Sequence, residues 1–368
     1  MDAQAEVAAE DSLTTVRRRL VQQRLAGEPF QRPAEAVRWL GAVQAQEFAE
    51  AKWSLAQRTR DCTDADVEAA FDRGEILRTH VLRPTWHFVT SADIRWLLRL
   101  TRPRVHALNR YWYAKFGLTE QVLAHSLELL DGALAEGEPR TRRELAERLR
   151  AGGIDADGLR LAYLFMYAEL EELICSGPRR GKQQTYTLLD LRAPAMEDVP
   201  PEQALAELVV RYFRSHGPAT VRDFSAWSSL TVAETKVGLS GSAERLARTR
   251  DERGIPWYAA PSRPETTPAS GIAAYLVPRY DETIVAYQDL RVVLAHEPPR
   301  PGLLERAIVI DGRTVGSWRR TLTKRSAIIQ ATPFGPLSDD EAEALQAACE
   351  RFGRFLGLEA SLETRIAT

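Results

Sequence analysis

The chain has 368 residues, 44% apolar and 27% charged, with a net charge of −2, which excludes a disordered chain and a polycation. Only five of its 49 basic residues are lysine (Lys52, Lys115, Lys182, Lys236 and Lys324), so an anionic partner would be met by local arginine forks. Genomic base composition explains the same bias, since alanine is also abundant. Cys62, Cys175 and Cys349 are too few and too scattered for a disulfide framework or a zinc site. No apolar run reaches membrane-spanning length, and the acidic N-terminus lacks the apolar stretch of a secretory signal. Together these point to a reducing cytoplasm.

In chain order, residues 1–11 read as a tail. Thr14 to Leu25 reads as an Arg-rich helix, and Pro33 opens a second with Val37, Leu40 and Val43 on one face. Ala49 to Arg58 forms a third, anchored by Trp53. Thr63 or Asp64 caps a fourth, with Val67, Ala70 and Phe71 facing inward. Ile76 to Val89 breaks at Arg83-Pro84 and reads as a β-hairpin, which makes a winged-helix-like unit.

After a helical stretch from Ser91 to Lys115, an internal repeat emerges. One copy begins Pro139-Arg140-Thr141-Arg142-Arg143-Glu144, the other Pro218-Ala219-Thr220-Val221-Arg222-Asp223. In each, a threonine caps a helix and an acid follows three positions on, as a capping box requires. Each is preceded by a longer apolar helix (Val122 to Leu134, Ala204 to Phe213). Each is followed by another helix and a short hairpin, with the first wing at Gly177 to Gly181 and strands at Thr185 to Leu189 and Ile255 to Ala259. The Pro-rich stretch Pro261 to Pro268 reads as a linker. Beyond it Ala274–Val277, Thr283–Tyr287, Ala307–Ile310 and Arg313–Trp318 read as strands, Asp311-Gly312 as a tight turn, and Ser338 caps a closing helix to about Phe355.

The expected fold is therefore α+β. About three tandem winged-helix domains (12–117, 118–196, 197–268) precede a C-terminal β-rich domain (269–368). Dinucleotide, P-loop, nucleophile-elbow and zincin signatures are all missing. Tandem winged helices most often bind nucleic acid through the second helix of the turn and through the wing. Arg140, Arg142 and Arg143 stand at a helix start, and Arg179, Arg180 and Lys182 in a wing. Arg319, Arg320, Lys324 and Arg325 follow the C-terminal hairpin. Solvated surface accounts for each alone; their joint placement points to DNA. Trp39, Trp53, Trp86, Trp96 and Trp112 read mainly as core, with one available to stack on a base.

Gln44-Ala45-Gln46 is the remaining oddity. Two amides two residues apart point to opposite sides of a helix but to one side of an extended segment, and Gly41 favours a helix end here.

Five segments in order give the sequence a family likeness. They are Leu40-Gly41-Ala42-Val43-Gln44-Ala45-Gln46, Arg83-Pro84-Thr85-Trp86-His87-Phe88-Val89, and Gly217-Pro218-Ala219-Thr220-Val221-Arg222-Asp223-Phe224. Leu276-Val277-Pro278-Arg279-Tyr280-Asp281-Glu282 and Val315-Gly316-Ser317-Trp318-Arg319-Arg320 complete the set. The chain resembles, from about Thr15 onward, the winged-helix DNA glycosylases of the azinomycin-resistance (AlkZ) and YcaQ type. The resemblance implies a C-shaped DNA-binding architecture. It also implies catalysis by Gln44 and Gln46, the Gln-x-Gln variant rather than Gln-x-Asp, with His87 and Arg83 contacting lesion or phosphate. Pro84 departs from the glycine many relatives carry there, which stiffens the hairpin.

The implied reaction is hydrolysis of the N-glycosidic bond of N7-alkylguanine in duplex DNA, bulky or interstrand-crosslinked adducts included, in repair or genotoxin self-resistance. It needs no metal, organic cofactor, membrane or obligate protein partner, and a monomer suffices. A non-catalytic winged-helix transcriptional regulator and a protein-binding scaffold are the competing readings.

Overall fold

The computed structural model describes residues 12–261, 272–288 and 306–366. The expected tail and most of the Pro-rich linker, residues 1–11 and 262–268, lie outside them.

Three times the chain runs helix, short strand, helix, helix, hairpin. The first unit comprises α2 (Pro33–Leu40), β1 (Val43–Gln44), α3 (Phe48–Ala56), α4 (Asp64–Asp72), β2 (Ile76–His80) and β3 (Trp86–Thr90). It follows α1 (Ser12–Gln22) and leads into the long α5 (Ile94–Lys115). The second comprises α6 (Glu120–Leu134), β4 (Arg140–Thr141), α7 (Arg142–Ala151), α8 (Gly158–Leu170), β5 (Ile174–Arg180) and β6 (Gln183–Leu188). The third comprises α9 (Pro201–His216), β7 (Ala219–Thr220), α10 (Val221–Ser228), α11 (Val232–Ser240), β8 (Ala247–Arg250) and β9 (Pro256–Ala259).

The three small sheets share one order, with the short strand at the edge and the last strand central: β1-β3-β2, β4-β6-β5 and β7-β9-β8. This is winged-helix connectivity, and the repeat seen twice in the sequence has a third member in the first unit. The expected capping boxes form. Thr141 caps α7 with Glu144 reaching back, and Thr220 caps α10 with Asp223 doing the same. Thr63, rather than Asp64, caps α4, paired with Asp66.

The C-terminal part is a five-stranded sheet. It contains β10 (Ala274–Val277), β11 (Ala307–Ile310), β12 (Arg313–Leu322), β13 (Ser326–Pro333) and β14 (Glu359–Thr364) in sequence order. β14 returns parallel to β13 after α13 (Asp339–Leu356).

Two expectations need correction. Val43 does not continue the face of α2: Gly41, at φ +83°, ends that helix, and Val43 lies buried in β1. Thr283–Tyr287 is not a strand but begins with a one-turn helix, α12 (Glu282–Val285), because the Asp281 side chain accepts the Thr283 N–H at 2.9 Å.

The first unit is fused to the C-terminal sheet through Trp53. Its indole N–H donates to the Leu276 carbonyl at 2.7 Å, and its ring meets Phe352 edge-on at 4.9 Å. Among the described residues no helix is long and apolar enough to cross a membrane.

Candidate active site

Gln44 ends β1, and Gln46 lies in the bend between β1 and α3. β1 pairs antiparallel with β3, Gln44 facing His87. The Ala45 N–H closes the ladder onto the Trp86 carbonyl at 2.7 Å. Gln44 is partly buried and Gln46 exposed. Arg78 on β2 braces the turn from beneath, donating to the Ala45 carbonyl at 2.9 Å and the Gln46 carbonyl at 3.3 Å.

Both amide oxygens are engaged. Gln44 Oε1 accepts from Arg83 Nη2 at 2.9 Å; Gln46 Oε1 accepts the Trp86 N–H at 3.4 Å. The Arg83 bond sets the orientation of the Gln44 amide, with oxygen towards the guanidinium and the NH₂ group away from it. Each oxygen keeps a second lone pair.

Of the two residues expected to contact lesion or phosphate, Arg83 is half-buried with its guanidinium on Gln44, and His87 turns inward. His87 is fully buried, with Nδ1 2.9 Å from the Thr85 carbonyl and Nε2 3.4 Å from Arg83 Nη2. That pairing makes Nδ1 the donor and Nε2 the acceptor of a neutral ring. Burial, reinforced by the adjacent Arg83 charge, pushes its pKa well below 6.5. Burial also lowers the Arg83 pKa, which the carboxylate of Glu282 counteracts, and a guanidinium remains cationic throughout.

Glu282 contacts the site, and the sequence reading gave it no role. Fully buried on α12, it accepts the backbone N–H of Gln44 at Oε1 and the indole N–H of Trp227 at Oε2, both at 2.9 Å. His216 Nε2 lies 3.4 Å from the same carboxylate. The signal in the sequence was its place at the end of the Leu276–Glu282 segment that carries the family likeness, between two stretches read as strands. Trp86 is not a free stacking platform: Arg78 lies 4.2 Å from its ring centroid and His80 4.5 Å away.

The basic residues divide into two groups. Arg179 is tied to Glu68 and its N–H to Asp72 at 2.9 Å, which pins the second unit's wing to α4. Arg180 pairs with Glu144 at 2.8 Å, and Arg140 donates to the Ala133 carbonyl at 2.6 Å. Arg142 lies 5.8 Å over the Phe165 ring. Arg320 lies within β12 and pairs at 2.8 Å with the buried Glu50, which also binds Arg306. Arg143 is exposed and meets Glu147 at 3.2 Å. Among the described residues, Lys182, Arg319 and Lys324 are exposed with no ion-pair partner.

The third helix of the first unit, α4, carries Asp64, Asp66, Glu68 and Asp72. Asp64 and Glu68 are held by Lys52, Glu68 also by Arg179, and Asp66 closes the Thr63 cap. The three cysteines are free, and among the described residues no His, Cys, Asp or Glu set converges as a metal site would require.

A model of the AlkZ-like DNA glycosylase family matches residues 37–355. The chain belongs to the AlkZ-like DNA glycosylase family. It is an enzyme of DNA repair that acts on DNA, and the regulator and scaffold readings fall away. Among solved structures it is similar to the DNA glycosylase AlkZ of Streptomyces sahachiroi. That likeness has 22% identity and a TM-score of 0.78, and covers 98% of this chain and 100% of that one. At that identity the AlkZ match speaks for the fold alone. No curated protein matches the sequence.

Proposed function

We propose that this glycosylase releases guanine alkylated at N7, bulky and interstrand-crosslinked adducts included, using a water held by Gln44 and Gln46. The observation that carries the reading is the chemical make-up of the site: two amides, a guanidinium and an imidazole held neutral by burial. None of these protonates a leaving base near neutral pH. The departing base must therefore leave unassisted, and N7-alkylguanine does so because it is already cationic.

As the C1′–N9 bond breaks, its electron pair returns to the purine and cancels that charge. The water oxygen bonds to C1′ and its proton passes to solvent. The free lone pairs on Gln44 Oε1 and Gln46 Oε1 accept the water's hydrogens and aim it at the sugar. A crosslinked base cannot swing out of the duplex, and Gln46 stands on an exposed edge that a stacked nucleotide can approach. Protection against a DNA-alkylating genotoxin, by a monomer acting without cofactor, fits this chemistry.

The test is single-turnover excision from an N7-methylguanine duplex, scored as abasic sites, beside a duplex-binding constant. Gln44→Ala and Gln46→Ala should each slow excision roughly 10–1000-fold with affinity unchanged, and the double variant should be little worse than the poorer single. Parental rates in all three variants would dismiss the glutamines as the reactive centre.

A further inference from the structure

In the second and third units, the last residue of the short edge strand gives its backbone N–H to an acid on the following helix. Thr141 N–H goes to Glu144 at 2.7 Å, and Thr220 N–H to Asp223 at 2.8 Å. Gln44 holds the same register position in the first unit: it opposes His87 on the central strand as Thr141 opposes Thr185 and Thr220 opposes Trp257. Its N–H goes instead to Glu282, 238 residues away. No side chain caps the helix that follows, α3. The C-terminal segment thus supplies the acid that the other units take from their own helix.

The same short helix grips the Gln44 side chain. Arg83, whose Nη2 holds Gln44 Oε1, directs Nη1 to the carbonyl of Val285 at 3.4 Å. α12 therefore holds Gln44 twice, by Glu282 at the backbone and through Arg83 at the amide. Glu282 is itself fixed by Trp227, and Asp281 beside it by Arg58.

We infer that Glu282 and Arg83 are positioning residues for hydrolysis: an anion–cation clamp that sets the Gln44 amide in its working orientation. This rests on the reading of Gln44 as a catalytic group. The clamp acts on rate and not on DNA binding, because Glu282 is fully buried and the Arg83 guanidinium is engaged by Gln44 and Val285.

The experiment is a double-mutant cycle in single-turnover excision of N7-methylguanine from duplex. Glu282→Gln keeps the shape and removes the charge. Arg83→Met keeps the stem and removes the guanidinium, and it decides the matter should Glu282→Gln fail to fold. Each should slow excision roughly 10–100-fold with duplex affinity unchanged. In a Gln44→Ala background each should change the rate by less than about threefold, because the group it positions has gone. An equal fall in both backgrounds, or no fall with Gln44 present, overturns the clamp. Parental excision by Gln44→Ala alone would instead sink the glutamine reading on which it rests.

Discussion

Arg58 and Asp281, far apart in sequence, form a two-pronged ion pair with both N–O distances at 2.8 Å and neither side chain exposed. Ser54 adds a hydrogen bond to the same carboxylate at 2.6 Å. The pair joins the turn after α3 to the segment that carries Glu282, so site geometry and fold stability meet there. Removing either partner strands a buried charge. Arg58→Met or Asp281→Ala should each cost about 3–5 kcal/mol in denaturant unfolding. Burial alone would raise the Asp281 pKa, but the Arg58 charge and the hydrogen bonds outweigh it and the folded value lies below 3.8. The folded state thus holds the proton less tightly than the unfolded chain. The stabilisation is complete above about pH 4 and is lost as pH falls through the folded value. An Asp281→Ala protein should lack that acid-side loss; an unchanged acid profile would count against the assignment.

The salt dependence of duplex binding should sort the arginines. Lys182→Ala and Arg319→Ala should each reduce the slope of log affinity against log salt by up to about 0.9 where that side chain meets a phosphate. Arg179→Ala and Arg320→Ala should leave the slope alone and lower stability by about 1 kcal/mol, because each removes one of two cations from a carboxylate, Glu68 keeping Lys52 and Glu50 keeping Arg306. A slope that drops for Arg320→Ala would place that strand against DNA.

Excision should be flat in pH across the neutral range, expressed relative to spontaneous loss of the same base. His87 ionises well below 6.5, and the glutamines and Arg83 do not titrate there. The folded pKa is the depressed one, so His87 favours folding fully above its unfolded value and less as pH falls below it. An inflection near pH 6.5 that disappears in His87→Gln would show that the imidazole takes part as an acid or base.

The repeated caps should behave as scaffold. Thr141→Ala and Thr220→Ala each remove one capping bond and should cost about 1 kcal/mol in unfolding free energy while leaving the excision rate intact. A rate loss matching that of Gln44→Ala would mean that the second and third units share in the chemistry.

Local signals carried much of the fold. Threonine-plus-acid boxes, apolar helix faces and the Asp311-Gly312 turn are short-range chemistry, and each marked a real element. The misreadings came from competition at longer range. Thr283, Ile284 and Val285 have the branched, apolar character of a strand, yet a side chain at Asp281, itself locked by Arg58, winds them into a helix. The pairing of β14 with β13 depends on a chain return after an 18-residue helix, which no local pattern announces. At the site, the spacing of Gln44 and Gln46 set them apart, and the family resemblance supplied the role proposed for them. The inward turn of His87 was not legible, because it depends on which face of β3 is covered. Arg320 alternates with Arg319 along β12, and the alternation that exposes one brings the other to Glu50.

The first unit differs from its two siblings by three residues at one place. Thr141 and Thr220 run straight into their helices, whereas Ala45, Gln46 and Glu47 intervene between Gln44 and α3. The segment proposed to be reactive is thus an interruption of a structural repeat, and the protein carries two uninterrupted copies of the same joint as its own controls. Chemistry of this kind asks little of a host fold: a lengthened helix start, with the stabilising contact it displaced restored from a distant part of the chain.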